Sequence, residues 1–195
     1  MKYHEFLQRT YFDKVELIAF SLGKLIEDPP GELAKLPAPP FLLVDRIVSI
    51  EKMGKKGKII AEKDILLDEW FFQFHFRDDP VMPGSFGIDA IWQLIGFYSC
   101  TNGAIGVGRA LGAEKIEFEG QVRPWNKIIR YEIEILRYSE LREQGVAIAI
   151  ADGKLFVDGT PIYSIEKARV GIFKNISYKD YPFPTQHSIG GILKK

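Results

Sequence analysis

The chain has 195 residues, 46% hydrophobic and 27% charged, a balance that excludes a disordered or fibrous protein and suits one folded domain. Acidic and basic side chains number 26 each, so no global field draws it towards nucleic acid or an anionic membrane. A single cysteine, Cys100, excludes an intrachain disulfide and a cysteine-built metal cage.

Met1-Lys2-Tyr3-His4-Glu5 opens no apolar core followed by a small-residue cleavage site. The most apolar stretch, Ser85 to Cys100, is shorter than a bilayer span and carries Asp89 and Gln93. These features predict a soluble protein of a reducing compartment, the cytoplasm. Residues 11 to 26 carry an apolar stripe (Val15, Leu17-Ile18, Leu22, Leu25-Ile26) that predicts a helix, stopped by Pro29-Pro30-Gly31. Pro37-Ala38-Pro39-Pro40 leads into a predicted strand from Phe41 to Val48, with a turn at Gly54 and Gly57 and a return strand from Lys58 to Ile65.

In the second half, Ile129, Tyr131, Ile133 and Ile135 alternate with Arg130, Glu132 and Glu134, the period of a half-buried antiparallel strand over 127–136. Further strands are predicted at 146–151, 154–157 and 162–173, with hairpin turns at Asp152-Gly153 and Asp158-Gly159. Between the two strand groups lies one helix, Ser85 to about Thr101, apolar in nearly every direction and so expected to be surrounded by protein. The expected architecture is α+β, a mostly antiparallel sheet wrapping one long, mostly apolar central helix. Its domain would span 1–174, with 1–34 as an N-terminal helical segment and 175–195 as a tail without clear periodicity.

Asp89 is the one carboxylate in that helix, and a buried carboxylate without a partner is costly. Gln93 follows at i+4, where an amide can orient it. His75 lies upstream between Phe74 and Phe76, as if in an apolar wall, and Asp79-Pro80-Val81-Met82-Pro83-Gly84 runs from it into the helix. The helix's first amides, at Gly84 and Ser85, lack intrahelical acceptors and offer an oxyanion site. A metal site from His75, Asp78 and Asp79 has no further histidine or cysteine to complete it. Gly106, Gly108 and Gly112 have the wrong spacing for a dinucleotide loop and read as a glycine-rich turn. Ser85 is not preceded by the strand a hydrolase elbow needs.

The segment His75 to Tyr98, His-Phe-Arg-Asp-Asp-Pro-Val-Met-Pro-Gly-Ser-Phe-Gly-Ile-Asp-Ala-Ile-Trp-Gln-Leu-Ile-Gly-Phe-Tyr, resembles the active-site segment of the bacterial 3-hydroxydecanoyl-acyl-carrier-protein dehydratase/isomerase family. The likeness continues through Gly108-Arg109-Ala110-Leu111-Gly112, Gly120-Gln121-Val122, Ala151-Asp152-Gly153 and Val157-Asp158-Gly159, and covers about residues 35 to 174. The resemblance implies a hot-dog fold, a homodimer with shared active sites, and a place in fatty acid biosynthesis. It also implies that His75 is the catalytic histidine and Asp89 the catalytic acid, contributed by different subunits. Ser85 stands where the family usually has cysteine, and Phe74 where a smaller residue is expected. Related dehydratases without isomerase activity usually carry glutamate in place of Asp89, so aspartate favours the bifunctional branch.

The implied reaction removes water from a 3-hydroxyacyl thioester. A neutral imidazole suits the base, the Gly84 and Ser85 amides would stabilise the enolate oxygen, and a protonated Asp89 would release the hydroxyl, with no metal or organic cofactor. Phe72, Phe74, Val81, Trp92 and Phe97 are candidates for the acyl pocket. Arg137, Arg142, Lys167 and Arg169 are candidates for a basic patch receiving an acidic acyl carrier protein. The readings carried beside it are a hot-dog thioesterase and a non-catalytic acyl-binding module.

Overall fold

The computed structural model describes residues 1–174, apart from the side chain of Arg142; the expected tail, 175–195, lies outside the described residues. Two short helices, α1 (Tyr3–Gln8) and α2 (Lys14–Ser21), precede a hairpin of β1 (Arg46–Met53) and β2 (Lys56–Asp64). A 3₁₀ turn (Trp70–Gln73) leads to α3 (Gly84–Thr101), and then come β3 (Val107–Gly112), β4 (Lys115–Phe118), β5 (Ile128–Leu141), β6 (Val146–Val157) and β7 (Thr160–Phe173). Among the described residues the strands form one seven-stranded sheet of order β1-β2-β5-β6-β7-β3, with β4 also paired to β7. Every pairing is antiparallel.

The alternation read in β5 holds: Ile129, Tyr131, Ile133 and Ile135 are fully buried, while Arg130 reaches Glu62 at 2.8 Å and Glu132 at 3.0 Å. The buried face of the sheet meets α3, which packs across β7, β6, β5, β2 and β3. Glycines let the two layers touch. A Cβ at Gly87 would lie 2.7 Å from Leu155, and one at Gly153 would lie 2.8 Å from Ile91. The helix has 18 residues. It is not surrounded on all sides: Ser85, Phe86, Asp89, Trp92 and Gly96 stay at least partly open.

Several expectations are corrected. The helix read over 11–26 is only α2, because Asp13 caps it through the Glu16 amide and Gly23 adopts a positive φ of 68° just after it. The segment from Phe41 to Asp45 is not strand; its backbone groups bond instead to the Gln93 side chain and to β2. Gly57 lies within β2, where a Cβ would meet the Tyr98 hydroxyl and the Glu51 carbonyl. Asp152-Gly153 is no turn either. It lies inside the continuous strand β6, since the glycine is there for contact with α3 rather than for its φ. Asp158-Gly159 is the turn, with φ of 48° and 86°. Gly108 and Gly112 belong to strand β3 rather than to a glycine-rich turn.

Gly153→Ala forces Ile91 or Ile165 to move and is expected to cost about 1–3 kcal/mol. Urea unfolding would reveal this as a lower midpoint at unchanged slope. An unaltered midpoint would contradict the close contact between α3 and β6.

Candidate active site

Asp89 lies in the second turn of α3, on the open stripe it shares with Ser85, Trp92 and Gly96. Gln93, one turn further on, fixes the carboxyl. Its Nε2 donates to the Phe41 carbonyl at 3.1 Å and to Asp89 Oδ2 at 2.7 Å, while its Oε1 accepts from the Leu43 amide at 3.4 Å. A backbone carbonyl accepts and a backbone N–H donates, so only one orientation of the amide satisfies both, and the end facing Asp89 is the donor. Burial pushes the Asp89 carboxyl above the usual aspartate range, and the Gln93 hydrogen bond draws it part of the way back. With Oδ2 accepting, the proton of the neutral acid belongs on Oδ1.

Asp89 borders a cleft of about 200 Å³. Its other walls are mostly apolar, among them Leu36, Phe41, Trp92, Phe97, Val170 and Ile172. The Trp92 indole Nε1 is buried with no hydrogen-bond partner among the described residues. Arg109 and Lys35 also line the cleft, and neither was singled out as a site residue from sequence. Glycine and charge in 106–112 gave no hint that β3 forms this wall.

His75 is built from the other side. Lys63 is buried and holds Glu69 in an ion pair at the start of the 3₁₀ turn, and the His75 amide closes that turn on the Phe71 carbonyl at 3.0 Å. The chain then loops back on itself, with the Val81 amide donating to the His75 carbonyl at 2.7 Å. The His75 Nδ1 lies 2.8 Å from the Val81 carbonyl. A carbonyl only accepts, so Nδ1 carries a proton, and in the neutral ring the lone pair is left on Nε2. Arg123 pairs with Asp79 and bonds the Pro80 carbonyl at 3.2 Å, tying the loop down. Asp79 is thus bound to a cation rather than turned towards a metal site with His75.

The expected apolar wall around His75 is corrected. Phe74 and Phe76 are 57% and 56% exposed, and only Phe76 touches the imidazole, stacked at 4.1 Å between ring centroids. Of the pocket candidates, Trp92 and Phe97 line the Asp89 cleft, whereas Phe72 and Val81 are buried elsewhere and Phe74 points outward. Among the described residues that line this cleft, Asp89 is present and His75 is not.

At the start of α3, Gly84 and Ser85 precede the first intrahelical bond, as read from sequence. The group that approaches Gly84 is the chain's own Phe118 ring, whose Cε1 would be 2.7 Å from a Cβ there. In the basic-patch candidates, Arg137 and Arg169 share one row of the sheet with Ile150 between them. Lys167 is already paired with Glu114 at 2.8 Å, and the Arg142 side chain lies outside what is described.

A seven-stranded antiparallel sheet laid against one helix, with an apolar cleft beside a carboxyl, defines a protein of the hot-dog class. Residues 36–166 match the FabA-like domain, and the chain belongs to that family. Among solved structures it is similar to the dehydratase heterocomplex ApeI:P from Xenorhabdus doucetiae, at 16% identity over 70% of this chain and 84% of that one, with a TM-score of 0.50. It is also similar to a hypothetical thioesterase with coenzyme A from Streptococcus pneumoniae TIGR4, at 12% identity over 66% and 88%, with a TM-score of 0.46. At 16% identity the likeness to the heterocomplex speaks to the fold alone. No helix among the described residues is long and apolar enough to cross a membrane.

The raised Asp89 carboxyl has a consequence for stability. The folded chain holds this proton to higher pH than the unfolded chain, so folding weakens as pH rises from the unfolded value through the folded one. Asp89→Asn is therefore expected to raise Tm at neutral pH and to remove that decline. A Tm that falls on substitution would contradict a carboxyl penalised by burial.

Proposed function

We propose that the protein is a 3-hydroxyacyl thioester dehydratase, acting as a homodimer in which His75 of one chain faces Asp89 of the other. The observation that carries this reading is the Asp89 carboxyl, held by Gln93 at the edge of an apolar cleft and pushed up by burial. Eliminating water from a 3-hydroxyacyl group needs a neutral acid beside a greasy chain, and a neutral base on the opposite side of the reacting carbons. Nε2 of His75 takes the proton from the carbon next to the carbonyl. The electrons move onto the thioester oxygen, where the Gly84 and Ser85 amides stabilise the charge. They then return to form the double bond, the carbon–oxygen bond of the hydroxyl breaks, and Oδ1 of Asp89 supplies the proton that makes it water. Return of the His75 proton to Asp89 completes the cycle.

The dimer is supported by what one chain leaves undone. The stripe around Asp89 and Trp92 is partly open, the Trp92 N–H is unpaired among the described residues, and Phe74, Phe76 and Phe118 are exposed beside the site segments. The same pair of residues suits a second step, moving a proton from carbon four to carbon two to turn the trans-2 double bond into cis-3. The acyl group would arrive on an acidic carrier protein in fatty acid biosynthesis, met at Arg137 and Arg169. A thioesterase reading fits the site less well, because burial disfavours the carboxylate form of Asp89 that would act as nucleophile or base.

Purified protein supplied with 3-hydroxydecanoyl thioester, on a carrier protein or on coenzyme A, is expected to form trans-2 and cis-3 decenoyl thioesters. His75→Ala and Asp89→Asn should each lower the rate by about a hundredfold or more. Trans-2 product alone would remove the isomerisation. Free acid and thiol would replace the dehydratase by a thioesterase, and binding without turnover would leave an acyl-binding module.

A further inference from the structure

The cleft beside Asp89 runs along α3 towards the N-terminal segment. Asp89, Trp92, Gly96 and Phe97 line it in order, so the helix rises about 12 Å from the carboxyl to the last of these rings. Opposite them lie Gly108 and Ala110 of β3 and Val170 and Ile172 of β7. Gly96 leaves the middle of the groove wide, since a Cβ there would meet only Val170, at 3.9 Å.

Phe20 closes the far end. This α2 residue is 4% exposed, its ring edge-on to Phe97 at 4.8 Å and stacked on Phe6 at 5.5 Å. A second hollow of about 210 Å³ is lined by Phe20, Leu25, Ile26, Leu33, Ala34 and other residues of the N-terminal segment. Phe20, Ala34 and Lys35 line both spaces. Of these three, Ala34 is too small to form a wall and Lys35 is exposed, with its stem lying beside Gly23. Among the described residues, Phe20 is therefore the one buried aromatic side chain shared by the cleft and the hollow.

Building on the acyl-thioester reading above, we infer that Phe20 is the chain-length stop of the site. The acyl chain lies along α3 with its reacting end at Asp89 and its methyl end against Phe20. The N-terminal segment thus measures the substrate, and the hollow behind Phe20 is a blocked extension of the same channel. Medium chains fill the cleft, and longer ones collide with the ring.

The test compares wild type, Phe20→Ala, Phe20→Leu and Gly96→Val with 3-hydroxyhexanoyl, 3-hydroxydecanoyl and 3-hydroxytetradecanoyl thioesters. Calorimetric binding of the matching saturated fatty acids is measured beside turnover. Shortening the Phe20 side chain is expected to raise the tetradecanoyl-to-decanoyl ratio of kcat/KM about tenfold, and Gly96→Val to shift preference towards hexanoyl. Phe20→Leu keeps most of the packing against Phe6 and Phe97, and it carries the test where the alanine variant does not fold. Folded Phe20 variants with the wild-type chain-length profile, in turnover and in binding, would overturn the stop. A shifted binding preference in a protein that removes no water would keep the stop and reject the dehydratase.

Discussion

Contact between α3 and the sheet, without intervening side chains at Gly87 and Gly153, is the constraint on which the rest of the molecule depends. Leu155 and Tyr163 press on one glycine and Ile91 on the other, which fixes the rotation of the helix about its axis. Once Ile88, Ile91, Leu94 and Ile95 are buried, the stripe at Ser85, Asp89, Trp92 and Gly96 must face the other way. The position of the carboxyl is therefore a result of core packing. A larger residue at either glycine would roll or lift the helix, and Asp89 would turn with it.

Asp89, through Gln93, and His75 are both oriented by backbone atoms that the sheet has not used. The Phe41 carbonyl and Leu43 amide lie just before β1 begins, and they set the Gln93 amide and through it Asp89. The Val81 carbonyl lies just before α3, and it sets the tautomer of His75. Irregular chain at 41–45 and 75–82 is what frees these groups to act on side chains. Burial raises the Asp89 carboxyl above its usual range while Gln93 draws it part of the way back, and the imidazole, in its neutral form, has its free lone pair on Nε2.

Much of the sheet was legible because β5 alternates strictly, and Ile129, Tyr131, Ile133 and Ile135 are buried as that pattern requires. Two Asp-Gly pairs looked alike in sequence yet differ in structure. Asp158-Gly159 turns the chain, and Asp152-Gly153 serves the contact with α3, a distinction set by a residue far away in the chain, Ile91. Gln93 was recognised beside Asp89 from helical spacing alone, but its grip on Phe41 and Leu43 spans about fifty residues and leaves no local signal. The same holds for Phe20, which lies within the helix expected over 11–26 but outside the apolar stripe read there. That Phe74 would be exposed was also hidden, because an aromatic beside a histidine suggests a wall whichever way it points.

In the proposed dimer, one active site takes His75 and Asp89 from two chains. The most direct measurement mixes two inactive variants, His75→Ala and Asp89→Asn, by co-expression or by subunit exchange, and assays dehydration. With random pairing, half of the dimers are mixed and each mixed dimer holds one intact site of two. Recovery of about a quarter of wild-type activity is therefore expected. No recovery in a mixture whose subunits have demonstrably exchanged would contradict the shared site.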